Sequence, residues 1–351
     1  MIGSFGPAAD VSVNDVRGRR TPLKRIATAM RTVPKYRELD RPDKSKLPLA
    51  WGVWGPDDQL GTLNFITEEK VRKAAKLVKR GVRFNLDLPL HVPYGEIKPL
   101  AHATRRAPSP TMHERVTPDR LVRDDKLDEF YLQCSSQWDG LTHMGDATHG
   151  FYNGVKPEQV THGPGSRNGI DRVAEFGLVS RGILVDIPRF YQRQGQSWDV
   201  MSQQVLTAKD LAACLKDQNV RLQDGDVLLV RLGWVAAFRA AKDVEGRDAL
   251  LRPWAYSGLS GEQDMWRFLW DKRVAALASD SVTVEVWPIR PKRPSLHLAI
   301  ARLGLTIGEM FDFEALAEDC AKDGEYRCLL TSKPLNLRGG VGSPPNAIAI
   351  K

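Results

Sequence analysis

Gln133-Cys134-Ser135-Ser136-Gln137-Trp138-Asp139-Gly140-Leu141-Thr142-His143 is the stretch on which the reading of the chain turns. It grows out of Phe130-Tyr131-Leu132-Gln133-Cys134, a run with the aromatic and apolar content of a strand. It continues through Met144-Gly145-Asp146-Ala147-Thr148 to His149. So many Gln, Asp and His side chains directly after a strand are out of place in a core. They suit a loop that presents ligands or a base from the end of a sheet. Two of the seven histidines of the chain lie here, His143 and His149.

Outward from this stretch the chain alternates between helices and strands without a strict repeat. Thr67-Glu68-Glu69 opens a helix reaching to about Arg80, with Thr67 as cap, two acids at the positive end of its dipole and Gly81 as its stop. Val82, Phe84, Leu86 and Leu88 then alternate with polar residues, the period of a half-buried strand. Gly182-Ile183-Leu184-Val185-Asp186-Ile187, Val227-Leu228-Leu229-Val230 and Val274-Ala275-Ala276-Leu277-Ala278 read as buried strands. Thr207-Ala208-Lys209-Asp210 opens a helix, and the segment from Glu262 to Lys272 is another. Ser295 caps a helix that stops at Gly304, Asp312 caps the next, and Tyr326-Arg327-Cys328-Leu329-Leu330 is a late strand. This mixture does not compel an ordinary doubly wound sheet. There is no G-x-G-x-x-G after a strand. Arg338-Gly339-Gly340-Val341-Gly342 leads into Ser343-Pro344-Pro345, so it reads as a turn and not a phosphate cradle.

A chain of 351 residues, 42% hydrophobic and 27% charged, can bury a sizeable core, and nine Trp and eleven Phe argue against general disorder. No apolar run approaches the roughly 20 residues that cross a bilayer. Four scattered cysteines without a CxxC pair suit free thiols in a reducing, cytoplasmic setting. The net charge of +8 is concentrated at the start: residues 1–48 hold eleven Lys and Arg against five Asp and Glu. This is a basic N-terminal arm on a nearly neutral body of residues 49–351, not a basic groove. With only Phe5 and Tyr36 as aromatics, the arm does not suit nucleic acid. Arg19-Arg20 is followed by an apolar stretch that Arg31 cuts short, which argues against an export signal.

The opening stretch resembles the signature H-x-G-T-H-x-D-x-x-x-H of the metal-dependent cyclase family, whose best-studied members are bacterial kynurenine formamidases and isatin hydrolases. Its Asp falls on Asp139 and its last His on His143; the two earlier His positions hold Gln133 and Gln137. Phe84–Leu90, Gly182–Ile187, Gly225–Val230 and Ala278–Ser281 resemble further blocks of the family in order. His297 and Glu309, twelve residues apart, match the late His and Glu that complete its metal site. The likeness runs from about residue 50 to the end. It implies an α/β fold of the swivelling β/β/α type: a mixed sheet, partly barrel-like, flanked by helices. It also implies a homodimer or homotetramer, for which the arm suits a subunit contact. One divalent ion, zinc or manganese, would be held by Asp139, His297 and Glu309, with Gln137 and Gln133 as weak ligands. The expected reaction is hydrolysis of an amide, imide or lactone of a small molecule.

The side chains support this chemistry in their own right. Two carboxylates and an imidazole leave positions open on a divalent ion for water and substrate. His143 is placed to act as general base. Trp138, Phe151 and Tyr152 are candidate walls of a pocket for a ring-shaped substrate, and His149 a candidate substrate contact. A Gln oxygen is a weaker ligand than imidazole, so the two exchanges shift preference away from zinc, remove one ion of a pair, or leave a site without metal. Two other classes stay open at this point. One is a metal-free lyase or isomerase using His143 and Asp139; the other is a binding protein that has kept the scaffold and lost the centre.

Overall fold

The computed structural model describes residues 33–99, 105–289 and 293–351. The twin-arginine segment, most of the basic arm and His102 lie outside the described residues. The described strands are β1 (Arg83–Asn85), β2 (Ser109–Thr117), β3 (Arg120–Asp128), β4 (Gln137–Asp139), β5 (Leu178–Asp186), β6 (Val205–Leu206), β7 (Val227–Arg231), β8 (Gly258–Leu259), β9 (Ala276–Ser279), β10 (Thr306–Glu309), β11 (Arg327–Ser332), β12 (Gly342–Ser343) and β13 (Ala347–Ile350). The described helices are α1 (Glu68–Ala75), α2 (Ile170–Phe176), α3 (Ile187–Arg193), α4 (Ala208–Asp217), α5 (Trp234–Ala240), α6 (Val244–Leu251), α7 (Gln263–Asp271), α8 (Leu298–Leu303) and α9 (Glu314–Asp323).

Nine strands form one mixed, curled sheet in the order β1-β13-β11-β5-β7-β9-β10-β4-β12, flanked by helices, as the swivelling β/β/α expectation required. Its centre, β5-β7-β9-β10, is parallel, and antiparallel pairs extend it on both sides. Strands covered on both faces must be apolar throughout. Hence Val227–Arg231 and Ala276–Ser279 are buried along their whole length. The helices begin where capping chemistry sets them. The Thr67 hydroxyl accepts from Lys70 N at 3.1 Å. Thr207 and Asp210 form a reciprocal capping box at the start of α4. Helix α8 ends at Gly304 in the left-handed region, φ 70°.

Two segments differ from the sequence reading. Residues 130–134 form no strand; the ladder starts at Gln137. Serine side chains take the place of a ladder here. Ser135 Oγ donates to Pro89 O at 3.0 Å, and Ser136 Oγ accepts from Leu88 N at 2.7 Å while donating to Met310 O. The ligand-rich stretch therefore starts on a strand instead of following one. The second difference is the long hairpin β2–β3, which the sequence pass left without structure. The Arg338–Gly340 segment is a turn: Gly339 has φ 64° and its N–H donates to Asp171 Oδ1 at 3.0 Å.

The compact unit begins at Pro34, inside the basic segment. Tyr36, Leu39 and Leu47 are buried. Tyr36 N donates to Asp271 Oδ1 at 2.8 Å, and Trp270 Nε1 donates to Pro34 O at 2.9 Å. Arg302 of α8 binds Leu47 O at 2.8 Å, Asp43 Oδ2 at 2.5 Å and Asp146 Oδ2 at 2.7 Å. No helix among the described residues is long and apolar enough to cross a membrane.

Candidate metal centre

Strand β4 runs antiparallel to β10 with Gln137 opposite Glu309, Trp138 opposite Gly308 and Asp139 opposite Ile307. Because successive side chains of a strand point to opposite faces, Gln137, Asp139 and Glu309 share one face and Trp138 takes the other. Trp138 is fully buried there, 4.9 Å from the ring of Phe311, and its Nε1 donates to Ser332 Oγ at 2.9 Å. A Cβ on Gly308 would stand 2.7–2.8 Å from these two rings, so this position needs glycine. The next residue after Glu309, Met310, adopts φ 54°, a costly conformation for a side-chain-bearing residue. It is pinned by Met310 N donating to Ser281 O and by the Ser136 hydroxyl on its carbonyl.

His297 enters from the start of α8, where Ser295 Oγ accepts from its backbone N–H at 3.1 Å. Its ring is clasped between two carboxylates: Nδ1 meets Glu285 and Nε2 lies 2.9 Å from Glu309 Oε1. Glu285 is itself buried and accepts from Ser295 Oγ at 2.6 Å and Leu296 N at 2.7 Å. One ligand atom each from Asp139, His297 and Glu309 falls within 4.8 Å of the other two. The three residues are 0, 7 and 5% exposed. Gln137 Nε2 donates to Glu309 Oε2 at 2.8 Å, while Gln137 Oε1 and Asp139 Oδ2 are buried without any partner.

This set carries too much negative charge for its burial. Burial, with Glu309 nearby, raises the pKa of Asp139. Burial disfavours charge on His297, but the two carboxylates on its ring outweigh that and lift its pKa well above the ordinary value. Burial likewise works against ionised Glu285, and the donors from His297, Ser295 and Leu296 prevail, lowering its pKa. A cation would answer both features at once. It would neutralise the carboxylates and give the two orphan oxygens a partner, so the residues present fit a divalent ion. Glu285 then has the place of the outer carboxylate that fixes a metal-bound imidazole.

A cavity of about 560 Å³ opens beside the cluster, with Tyr94, Trp254, Trp287 and Leu298 among its apolar walls. His143 lines it with a 20% exposed side chain, its Nδ1 3.6 Å from Asp139 Oδ1. Arg105 also faces it; its Nη1 donates to Gln133 O at 3.1 Å, and no carboxylate among the described residues pairs with it.

Of the residues singled out from sequence, Asp139, His143, His297, Glu309 and Gln137 meet at this centre. Gln133 does not join them: its amide lies against Gly342 on β12. The four expected substrate contacts, Trp138, His149, Phe151 and Tyr152, are not among the residues that line this cavity. Trp138 faces the other side of the sheet because it sits on a strand and not in a loop. His149 Nε2 is 2.7 Å from Asp43 Oδ2. Tyr152 is buried and donates to Asp58 Oδ2 at 3.0 Å, and Phe151 packs over Gly145. The walls come instead from three remote segments. Glu285 was also missed, although an acid inside Val282-Thr283-Val284-Glu285-Val286-Trp287 is a signal of a partnered buried carboxylate.

Comparison with known proteins shows the family and the fold. Residues 85–286 match the profile of the Cyclase family. A solved structure described as a novel cyclase is 33% identical over 86% of this chain and 99% of its own, with a TM-score of 0.74. Isatin hydrolase A from Ralstonia solanacearum is 14% identical over 82% of this chain and 98% of its own, TM-score 0.53. The enzyme of that name from Labrenzia aggregata, bound to benzyl benzoate, is 14% identical over 79% and 94%, TM-score 0.51. At these last identities the likeness is one of fold. No curated protein matches the chain.

Proposed function

Starting from the fact that the chain belongs to the Cyclase family, we propose that it is a metal-dependent hydrolase. It would cleave an amide, imide or lactone of a small ring-bearing substrate. The observation that carries this reading is the convergence of Asp139, His297 and Glu309, with two partnerless buried oxygens, at the wall of an aromatic cavity. Asp139, His297 and Glu309 would hold the ion, with Gln137 Oε1 as a fourth, neutral donor. An oxygen-rich set with a single imidazole favours manganese or magnesium more than a nitrogen-rich zinc site would. A divalent ion held there supplies Lewis-acid activation of water and of a carbonyl.

The remaining work falls to the protein. His143 takes the proton from the attacking water and returns it to the leaving nitrogen or oxygen. The Asp139 oxygen 3.6 Å from Nδ1 orients the ring for both events. Glu285 holds His297 Nδ1 and so directs Nε2 to the centre. Tyr94, Trp254 and Trp287 bury the ring of the substrate and exclude water from it. Arg105 offers donors to a carbonyl or carboxylate on the same molecule. Four buried cysteines without a disulfide support a reducing, cytoplasmic setting.

A second reading, a metal-free acid–base enzyme, draws on one observation: His297 between Glu285 and Glu309 forms a closed, charged triad of its own. One experiment separates the two. Protein purified without a His tag is analysed for metal, then assayed on formanilides, imides and lactones with manganese, zinc, magnesium or chelator. The hydrolase reading expects bound metal and chelator-sensitive turnover. Chelator-resistant turnover would support the second reading, and no turnover on the whole panel would sink the first.

A further inference from the structure

Arg105 and Gln133 stand at the two feet of the β2–β3 hairpin, and the bond from Arg105 Nη1 to Gln133 O at 3.1 Å ties those feet together. The same bond holds the guanidinium beside the cavity that Arg105 lines. Gln133 thus serves the site through its carbonyl, while its side chain packs against β12. The next residue, Arg106, pairs on the surface with Glu129 at 3.4 Å. Arg105 is half-buried and has no such partner. Among the described arginines that are not exposed, only Arg41 and Arg105 lack a carboxylate. Arg41 is satisfied otherwise: it donates to the carbonyls of Tyr36, Arg37 and Leu39 and lies 5.1 Å over the ring of Tyr36. Arg105 has the bond to Gln133 and nothing more. The acids that reach the same cavity are already engaged. Glu285 is held by His297, Ser295 and Leu296, and Glu309 by His297 and Gln137. The charge of Arg105 is nevertheless felt at the centre, where it opposes the burial that raises the pKa of Asp139 and of Tyr94.

We propose that Arg105 anchors a carboxylate on the substrate, so that the site takes monoanionic ring compounds in preference to neutral ones. The inference rests on the hydrolase reading above and narrows it: the scissile amide, imide or lactone and the carboxylate belong to one molecule, with the ring between them. Three features select this ligand. The first is the setting. A guanidinium stays charged, and leaving it unpaired beside apolar walls such as Trp254, Trp287 and Ile289 is costly once a ring has displaced the water. The second is shape. With Nη1 held by Gln133 O, the Nε–Nη2 edge is without a partner. A carboxylate fills that edge with two parallel bonds, whereas a neutral carbonyl brings no charge to it. The third is charge. Arg105 is the one Arg or Lys among the described residues that line the cavity, so a single negative charge is matched there and a dianion such as a phosphate ester is not.

The test measures binding and turnover separately, on the full chain as purified. Phenylacetate and phenylacetamide share a ring and differ in the group that Arg105 reads. Calorimetric titration should show phenylacetate binding about tenfold or more tighter, the size of one charge-assisted pair. Arg105→Met should bring that ratio close to one. Arg105→Lys keeps the charge and loses the fork, and should leave an intermediate ratio. A carboxylate held by a metal ion instead would keep its advantage in Arg105→Met, and that result would overturn the proposal. So would phenylacetate that binds the wild type no better than the amide, or both variants losing the two probes alike. In turnover, 4-formamidobenzoate should exceed its methyl ester about tenfold or more in kcat/KM, chiefly through KM, and Arg105→Met should abolish the preference. The binding arm needs no chemistry, so the two readings fail separately. A silent substrate panel with the binding ratio intact removes the hydrolase and supports the anchor; turnover indifferent to the carboxylate removes the anchor and leaves the hydrolase.

Discussion

Gln137 and Glu309 stand directly opposite each other on antiparallel strands, and the amide of the first donates to the carboxylate of the second at 2.8 Å. The pairing leaves Gln137 Oε1 free and Glu309 held by a neutral donor. Replacing Gln137 by Glu sets two carboxylates at hydrogen-bond distance in a buried place. Without metal the variant should melt lower than the parent, because like charges there cannot both ionise cheaply. With manganese added its rise in Tm should exceed that of the parent, since binding to the folded state alone stabilises it. Thermal melts with and without metal give the answer; equal shifts in the two proteins would remove Gln137 from the centre.

Glu285→Gln tests the outer carboxylate. His297 would keep its place but lose the charged partner of Nδ1. Metal affinity should fall by about 10- to 100-fold, read by competition with a chelator of known strength. Unchanged affinity would mean that the clasp on Nδ1 has no part in binding.

His143→Ala and Glu309→Gln should part company. The first removes the proposed proton carrier 3.6 Å from Asp139 and should keep the metal while losing about 10²- to 10⁴-fold in kcat on the best substrate of the panel. The second should lose metal and turnover together. Metal content measured beside turnover distinguishes them, and a fully active His143→Ala would displace His143 from the reaction.

Gly308→Ala probes the far side of the same strand. The new Cβ would meet the rings of Phe311 and Trp138 at 2.7–2.8 Å. Overpacking of this kind costs about 1–3 kcal/mol, measurable as a lower urea midpoint at unchanged m. Since Glu309 follows directly, metal affinity should fall as well.

Asp280 gives a pH signature away from the centre. It is fully buried, accepts from Gly233 N at 2.8 Å, and burial pushes its pKa up to about 7. The folded chain therefore binds this proton more tightly than the unfolded chain, where an Asp titrates near 3.9. Its stabilising proton is present in both states below about pH 4, and stability falls as pH rises from there through 7, by a few kcal/mol at most. Urea unfolding at pH 5 and pH 7.5 should show a shallower difference for Asp280→Asn than for the parent.

The candidate centre was legible through the family resemblance, which pointed to Asp139, His297 and Glu309. His297 and Glu309 are separated by a helix and a strand that bring them back to one place, and Asp139 lies in a dense polar stretch. The buried strands Leu178–Asp186 and Val227–Arg231 were legible as apolar runs, and α1 and α4 through Thr67 and Thr207. The cavity walls were not. Trp138 was read as part of a loop, where alternation gives no orientation; once Gln137 is known to start a strand, its neighbour must point away. Tyr94, Trp254 and Trp287 come from segments with no chemistry of their own, and only the folded chain gathers them. The hairpin escaped because its apolar residues are spaced singly among Arg, Asp and Glu, so no window holds a run.

Arg302 lies on the helix that His297 opens, and three anchors from two segments converge on its guanidinium: Asp43 and Leu47 from one, Asp146 from the other. Two of those three anchors belong to the stretch that a charge profile would discard as a tail. An expression fragment trimmed to start at residue 49 would leave that buried cation with a single acid and loosen the seat of the imidazole. Such a fragment would report on a damaged centre, and its silence in an assay would say nothing about the intact enzyme.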